Sequence, residues 1–110
     1  MHQRIGSTEL RHSMGSVLAG PDSKELERLL LRMSRRDEAA FEKLHAATKR
    51  KLFSTVLLVV KRRHLAEELV QEAYVRIWLN AASYRSSLGS PMLWMMTIAF
   101  CLTLENFLSK

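Results

Sequence analysis

The sequence predicts an all-α fold, a compact four-helix bundle. Apolar residues recur at i, i+3 and i+4 in four successive segments, which is the period of an amphipathic helix. Alternation with a period of two is absent, and proline and glycine are scarce after Pro21, so no strand or hairpin is expected. The connections between segments are short. Helices with matching apolar stripes and short connections close around one core.

Residues 1–21 are polar, carry Gly6, Gly15, Gly20 and Pro21, and lack periodicity; they are expected to be a flexible leader to a single helical domain, residues 22–110. The first helix starts near Asp22 or Ser23, where Asp22 and Glu25 have capping-box spacing. Leu26, Leu29, Leu30 and Met33 form its stripe, and Ser34-Arg35-Arg36 turns a corner. Asp37 is a good N-cap for a long second helix. It carries Phe41, Leu44, Thr48, Leu52, Val56 and Val59 and exits near Arg62 through Lys61-Arg62-Arg63, cations that suit the negative end of the helix dipole. The third helix runs from about Leu65 to Ala82. Leu69, Val70, Ala73, Ile77 and Trp78 share its apolar side, and Glu67, Glu68, Gln71, Glu72 and Val75 the opposite one. Tyr84 to Gly89 reads as a loop. Ser90-Pro91, a cap followed by proline in the first turn, opens a fourth helix that reaches about Leu108. Its apolar residues go almost all the way round, with Phe100, Leu104 and Phe107 on a different side from Trp94, Ile98 and Cys101. Such a helix should be covered on more than one side, and a homodimer through it is expected.

At 110 residues the chain is one domain with a modest core. Its net charge of +6 points to a polyanionic partner, but the charge is uneven. Arg28 to Arg63 holds eleven cations against Asp37, Glu38 and Glu42, whereas from Ile77 onward Arg85 and Lys110 stand against Glu105. An acidic, glutamine-bearing face on such a chain suits a protein partner better than a nucleic acid. The single Cys101 excludes an internal disulfide and fits a cytoplasmic chain; in its apolar run it is expected to be buried. His2, His12, His45 and His64 have no partner at ligand spacing, so neither metal nor other cofactor is expected. There is no nucleophile–base pair, no glycine-rich phosphate loop and no HExxH, and enzyme activity is not expected. No signal-peptide core is present. The apolar runs Leu52–Val60 and Met92–Leu104 fall short of the ~20 residues that cross a bilayer, so no membrane insertion is expected.

The string AEELVQEAYVRIW, from Ala66 to Trp78, resembles the core-polymerase-binding helix of bacterial sigma factors of the extracytoplasmic-function (ECF) group. Upstream, RMSRRDEAAFEKLHAATKRKLF resembles that family's first helices. Downstream, ASYRSSLGSPMLWMMTIA resembles its promoter-melting segment. The likeness runs from about Leu26 to Lys110. It implies a sigma factor region 2 domain that docks on the clamp-helix coiled coil of the largest RNA polymerase subunit through Glu68, Gln71, Glu72 and Val75. It also implies recognition and melting of the promoter minus-ten element, with a base flipped from the non-template strand held by the loop after the third helix. Tyr84, Arg85, Ser86, Ser87, Ser90 and Trp94 are the candidates: the serines offer hydroxyls to a base edge and Arg85 a cation to a phosphate. Trp94, like Trp78, also suits the core. The Gly-Ser-Pro before Trp94 resembles the branch held by membrane-anchored anti-sigma factors, which implies a cognate anti-sigma factor.

The chain departs from the family pattern in the fourth helix. Phe100-Cys101 follows Ile98-Ala99 where Arg-Asn is usual, Glu105 stands in the place of an Asp, and Leu108-Ser109-Lys110 replaces a basic run. No segment resembles the second domain, which reads the minus-thirty-five element. The alternative function is therefore a helical interaction module deficient in DNA binding, a decoy for polymerase or an anti-sigma factor. A third reading is a nucleic-acid-binding bundle that uses Lys49–Lys51 and Lys61–Arg63.

Overall fold

The computed structural model describes residues 22–109, so the expected leader 1–21 lies outside the described residues. Four helices follow in order: α1 (Ser23–Ser34), α2 (Glu38–Val60), α3 (Arg63–Leu79) and α4 (Pro91–Leu108). Two single turns of 3-10 helix, Ala81–Ser83 and Ser86–Leu88, lie between α3 and α4. Among the described residues there is no strand. The all-helical bundle expected from periodicity is the fold observed.

The corner between α1 and α2 is fastened by side chains. Asp37 caps α2 by accepting the Ala40 N–H at 3.2 Å, and its other carboxylate oxygen accepts Arg32 Nε at 2.9 Å. The Arg32 guanidinium and the Ala40 amide hold the Asp37 carboxyl below its ordinary value. Arg36 sits in the left-handed region, φ 66°, which a side chain rarely adopts. Its guanidinium donates to the Trp78 carbonyl at 3.2 Å and lies over the Trp78 ring, 5.2 Å from its centroid. This anchorage to α3 offsets the local strain. Asp22, by contrast, makes no side-chain cap, so the expected capping box at the start of α1 does not form. The end of α3 also differs from expectation. The Asn80 backbone N–H and side-chain amide both reach the Arg76 carbonyl, at 2.9 and 2.8 Å, and close the helix at Leu79 before Ala82.

The core residues of α2 repeat every fourth position: Ala40, Leu44, Thr48, Leu52, Val56 and Val60. Four residues advance about 400° around an α-helix, so such a stripe drifts by about 40° per step. It winds round α2 rather than running straight along it, and α2 packs on all three other helices, α1, α3 and α4. The drift also explains a correction at its end, where Val60 is buried and Val59, expected in the stripe, is exposed. α1 contributes Leu26, Leu29, Leu30 and Met33 to the core; α3 contributes Ala66, Leu69, Val70, Ala73, Tyr74 and Ile77. α4 adds Pro91, Met95, Ala99, Leu102 and Thr103.

Cys101 is exposed, contrary to expectation. α4 buries the face that carries Met95, Ala99 and Leu102, and Cys101 lies on the other side. By length and composition alone α4 could cross a membrane, which corrects the expectation that no segment qualifies. Its core face and the Arg76–Glu105 ion pair tie it into the bundle.

One polar pair sits at the middle of the core. Thr48 Oγ1 donates to the Leu44 carbonyl at 2.8 Å, and its oxygen lies 2.6 Å from the Tyr74 hydroxyl. Thr48 has one proton, already committed, so Tyr74 donates to Thr48. Burial pushes the Tyr74 phenol up to about 12. Thr48→Val strands a buried hydroxyl and should destabilise by about 1–3 kcal/mol. Tyr74→Phe leaves Thr48 satisfied by Leu44 and should cost less, about 0.5–1.5 kcal/mol. Urea denaturation checks the order. Because the folded phenol titrates above the unfolded value of 10, the stability linked to it is complete below pH 10 and drains away as pH rises toward 12. Tyr74→Phe should flatten that part of the stability–pH profile.

Candidate functional site

Two exposed regions meet the description of a binding site. The first is the outward side of α3. Glu68, Gln71, Glu72 and Val75 are exposed together, because positions three, four and seven apart share a helix face. Leu79, four residues beyond Val75, extends the face and is 60% exposed, alongside Val75 at 51%. The surface therefore has two apolar anchors beside an acidic and amide stretch. Leu79 was not among the expected residues, although the i+4 step from Val75 was available in the sequence.

The acids of this face are already paired along their own helix. Glu67 meets Arg63 at 3.5 Å, Glu68 meets His64 at 3.1 Å and Glu72 meets Arg76 at 3.8 Å, each an i,i+4 pair. Arg76 also reaches Glu105 of α4 at 3.3 Å. Exposed pairs of this kind contribute about 0–1 kcal/mol each. The Gln71 side chain makes no hydrogen bond among the described residues.

Beside this face an open groove of about 490 Å³ runs between α2 and α3, lined by Glu38, Phe41, Glu42, His45, Gln71, Tyr74, Val75 and Trp78. Its floor is aromatic: the Phe41 ring lies edge-on to Trp78 at 5.4 Å, and His45 lies 4.5 Å from Tyr74. Partial burial, reinforced by Lys49, holds the His45 imidazole below its ordinary value, which favours the neutral ring. Phe41 and His45, one turn apart on α2, add a second helix to this surface. The sequence carried no signal for this, because the groove exists only once α2 lies against α3.

The second region is the connection from α3 to α4. Tyr84 donates to the Gly89 carbonyl at 2.7 Å and its ring meets Trp94 edge-on at 5.5 Å. Burial, with the Glu27 carboxylate nearby, holds the Tyr84 phenol above its ordinary value. Arg85 folds back to donate to the carbonyls of Ala82 and Tyr84, at 3.1 and 3.2 Å. Ser90 Oγ accepts the Leu93 N–H at 3.2 Å and caps α4. Gly89 has φ 107° and ψ −173°, a conformation essentially reserved for glycine, and an added Cβ would lie 2.8 Å from Leu93 Cδ2. Of the six expected DNA-binding residues, Ser86 and Ser87 are exposed with no internal side-chain bond among the described residues, while Tyr84, Arg85, Ser90 and Trp94 shape the loop. A pocket of about 340 Å³ opens between α1 and this loop, lined by Glu27, Leu31, Ser34, Ala82, Tyr84 and Ser86 among others. Glu27 and Ser34 bring α1 to this pocket, and nothing in their sequence context marks them.

Among the described residues no group of His, Cys, Asp or Glu is placed to hold a metal ion. The arrangement offers surfaces: an apolar-anchored polar helix face, and a rigid loop beside a small pocket.

The chain is similar in sequence to known proteins over most of its length. The Sigma-70 region 2 family profile matches residues 44–100, from the second turn of α2 into α4 and through both candidate regions. The ECF RNA polymerase sigma factor SigK of Mycobacterium tuberculosis is 34% identical over 84 residues, 74% of this chain and 45% of that protein. SigK of Mycolicibacterium vanbaalenii is 32% identical over 90 residues, 76% of this chain and 46% of its own length. SigK of Mycobacterium sp. strain KMS is 35% identical over 75 residues, 68% of this chain and 39% of its own. The chain thus spans less than half the length of the curated relatives it matches. No solved structure matches it. With the profile covering more than half the chain and the relatives aligned over most of it, this protein belongs to the Sigma-70 region 2 family.

Proposed function

We propose that this chain is the part of an ECF sigma factor that holds RNA polymerase core and engages the minus-ten promoter element during transcription initiation in the cytoplasm. The observation that carries the reading is the exposed α3 face, where Glu68, Gln71 and Glu72 lie in line with Val75 and Leu79. A coiled coil such as the clamp helices of the largest polymerase subunit presents a ridge to such a face. Val75 and Leu79 supply apolar contact, and the acids and Gln71 form the polar rim. The aromatic groove of Phe41, His45 and Trp78 widens the contact onto α2. The protein acts by binding, with no chemistry of its own.

The α3–α4 loop takes the second role. Its shape is set internally by Tyr84, Gly89 and Ser90, which leaves Ser86 and Ser87 to meet an unstacked base of the non-template strand. Arg85 is the nearby cation for a phosphate once it releases its two carbonyls. An anti-sigma factor is a further partner, on the strength of the Gly89-Ser90-Pro91 turn before Trp94.

The decoy reading has one specific observation in its favour: Phe100, Leu104 and Phe107 form an exposed apolar face on α4, and α4 has no cation to offer a phosphate. A chain that docks on polymerase but fails to capture DNA would behave in this way.

Two measurements test these roles. Glu68→Lys with Glu72→Lys should weaken binding to the isolated clamp-helix coiled coil at least tenfold, ~1.4 kcal/mol or more, in a titration. Unchanged affinity removes the α3 assignment. In fluorescence anisotropy, the chain should prefer single-stranded non-template minus-ten oligonucleotides over duplex, with a shallow salt dependence because few cations lie near the loop. Arg85→Ala should weaken that binding. Coiled-coil binding without any DNA binding selects the decoy, whereas equal binding to unrelated duplex with a steep salt slope selects the basic-bundle reading.

A further inference from the structure

The outward side of α4 has an order that its composition conceals. Leu93, Thr97, Phe100, Leu104 and Phe107 are all exposed, and they follow one another at steps of four, three, four and three. That is the seam of a two-stranded coiled coil, apolar positions every 3.5 residues on a single face. The opposite face, with Met95, Ala99 and Leu102, is already spent on the domain core, so the seam is additional to the fold. Thr97, the polar member, has its hydroxyl satisfied within its own helix by donating to the Leu93 carbonyl at 2.9 Å. It can therefore enter a dry interface without stranding a polar group.

We propose that α4 pairs with α4 of a second copy of this chain through Leu93, Thr97, Phe100, Leu104 and Phe107. Charge argues for a second copy. The chain carries +6 overall, so most of its surface repels a copy, but α4 has a single charged residue, Glu105, and Arg76 neutralises it. Two seams meet with no like charges opposed and no charge left to select a different partner. Area argues the same way. Leu93, Phe100, Leu104 and Phe107 are 36–57% exposed and Leu108 is 83% exposed, roughly 500 Å² of apolar surface in one strip if each side chain offers about 200 Å² when free. Two such strips bring about 1,000 Å² together, the threshold for a specific interface, before the flanking Trp94, Met96 and Cys101 are added. The pairing is isologous and closes on itself as a dimer.

Sedimentation velocity of the 110-residue chain over a wide concentration range tests this. The wild type should be a reversible dimer. Phe100→Glu with Leu104→Glu, at exposed positions, should keep the helical circular dichroism and raise the dimer dissociation constant at least tenfold. Thr97→Leu, which completes the apolar seam, should lower it severalfold and gives a result even if the double variant folds poorly. Several outcomes overturn the proposal: a wild-type chain that stays monomeric at high concentration, a dimer indifferent to both sets of substitutions, or a monomer that floats with phosphatidylglycerol-containing vesicles through the same residues. The last would mean that the face meets a lipid surface.

Discussion

The four-residue repeat of the α2 core side chains constrains the rest of the molecule. A straight stripe would let one helix lean on one neighbour. The stripe from Ala40 to Val60 winds round α2, and α2 packs against α1, α3 and α4, so α2 becomes the axle of the bundle. The Thr48–Tyr74 hydrogen bond sits at its middle and fixes the rotation of α3 about its own axis. With Tyr74 turned inward, Glu68, Gln71, Glu72 and Val75 are turned outward. A one-residue slip would rotate the face by about 100° and carry Glu72 toward the core. Which residues face outward is thus set by packing on the far side of α3.

Periodicity made the four helices legible, because each keeps apolar residues three and four apart. Where periodicity failed, the causes were local or three-dimensional. Val59 and Val60 look alike in sequence, and only the drift of the stripe decides which is buried. α4 has few polar residues to mark its outer side, so nothing in the run around Cys101 says that this residue faces out. Asn80 stops α3 through a side-chain bond to Arg76 that composition does not announce. The exposed positions of the α3 face could be read from spacing, and the family likeness singled them out. The groove of Phe41 and His45, and the approach of Glu27 to the loop, arise from packing between helices and could not be read that way.

The loop between α3 and α4 illustrates a division of labour. A flexible loop that ordered itself only on meeting a strand would lose binding energy to conformational entropy. Here Tyr84 clasps the Gly89 carbonyl, Ser90 caps α4, and Gly89 takes the backbone through a turn that other residues resist. Tyr84 and Ser90 thus shape the loop from within, and the Ser86 and Ser87 hydroxyls stay exposed beside them.

The ion pairs along α3 change what docking on this face means. Because Glu67 and Glu72 are already matched by Arg63 and Arg76, and Glu68 lies against the His64 imidazole, an incoming cation meets carboxylates that already have neighbours. It competes for a carboxylate that has a partner. Association is then an exchange, in which one set of contacts is traded for another of similar strength, and the net electrostatic gain is small. On the proposed docking, affinity would fall to the exposed apolar side chains Val75 and Leu79, and the acids would act as a filter. A partner with cations at the right spacing would lose nothing on arrival, and one without them would be turned away by the water and counterions it could not replace.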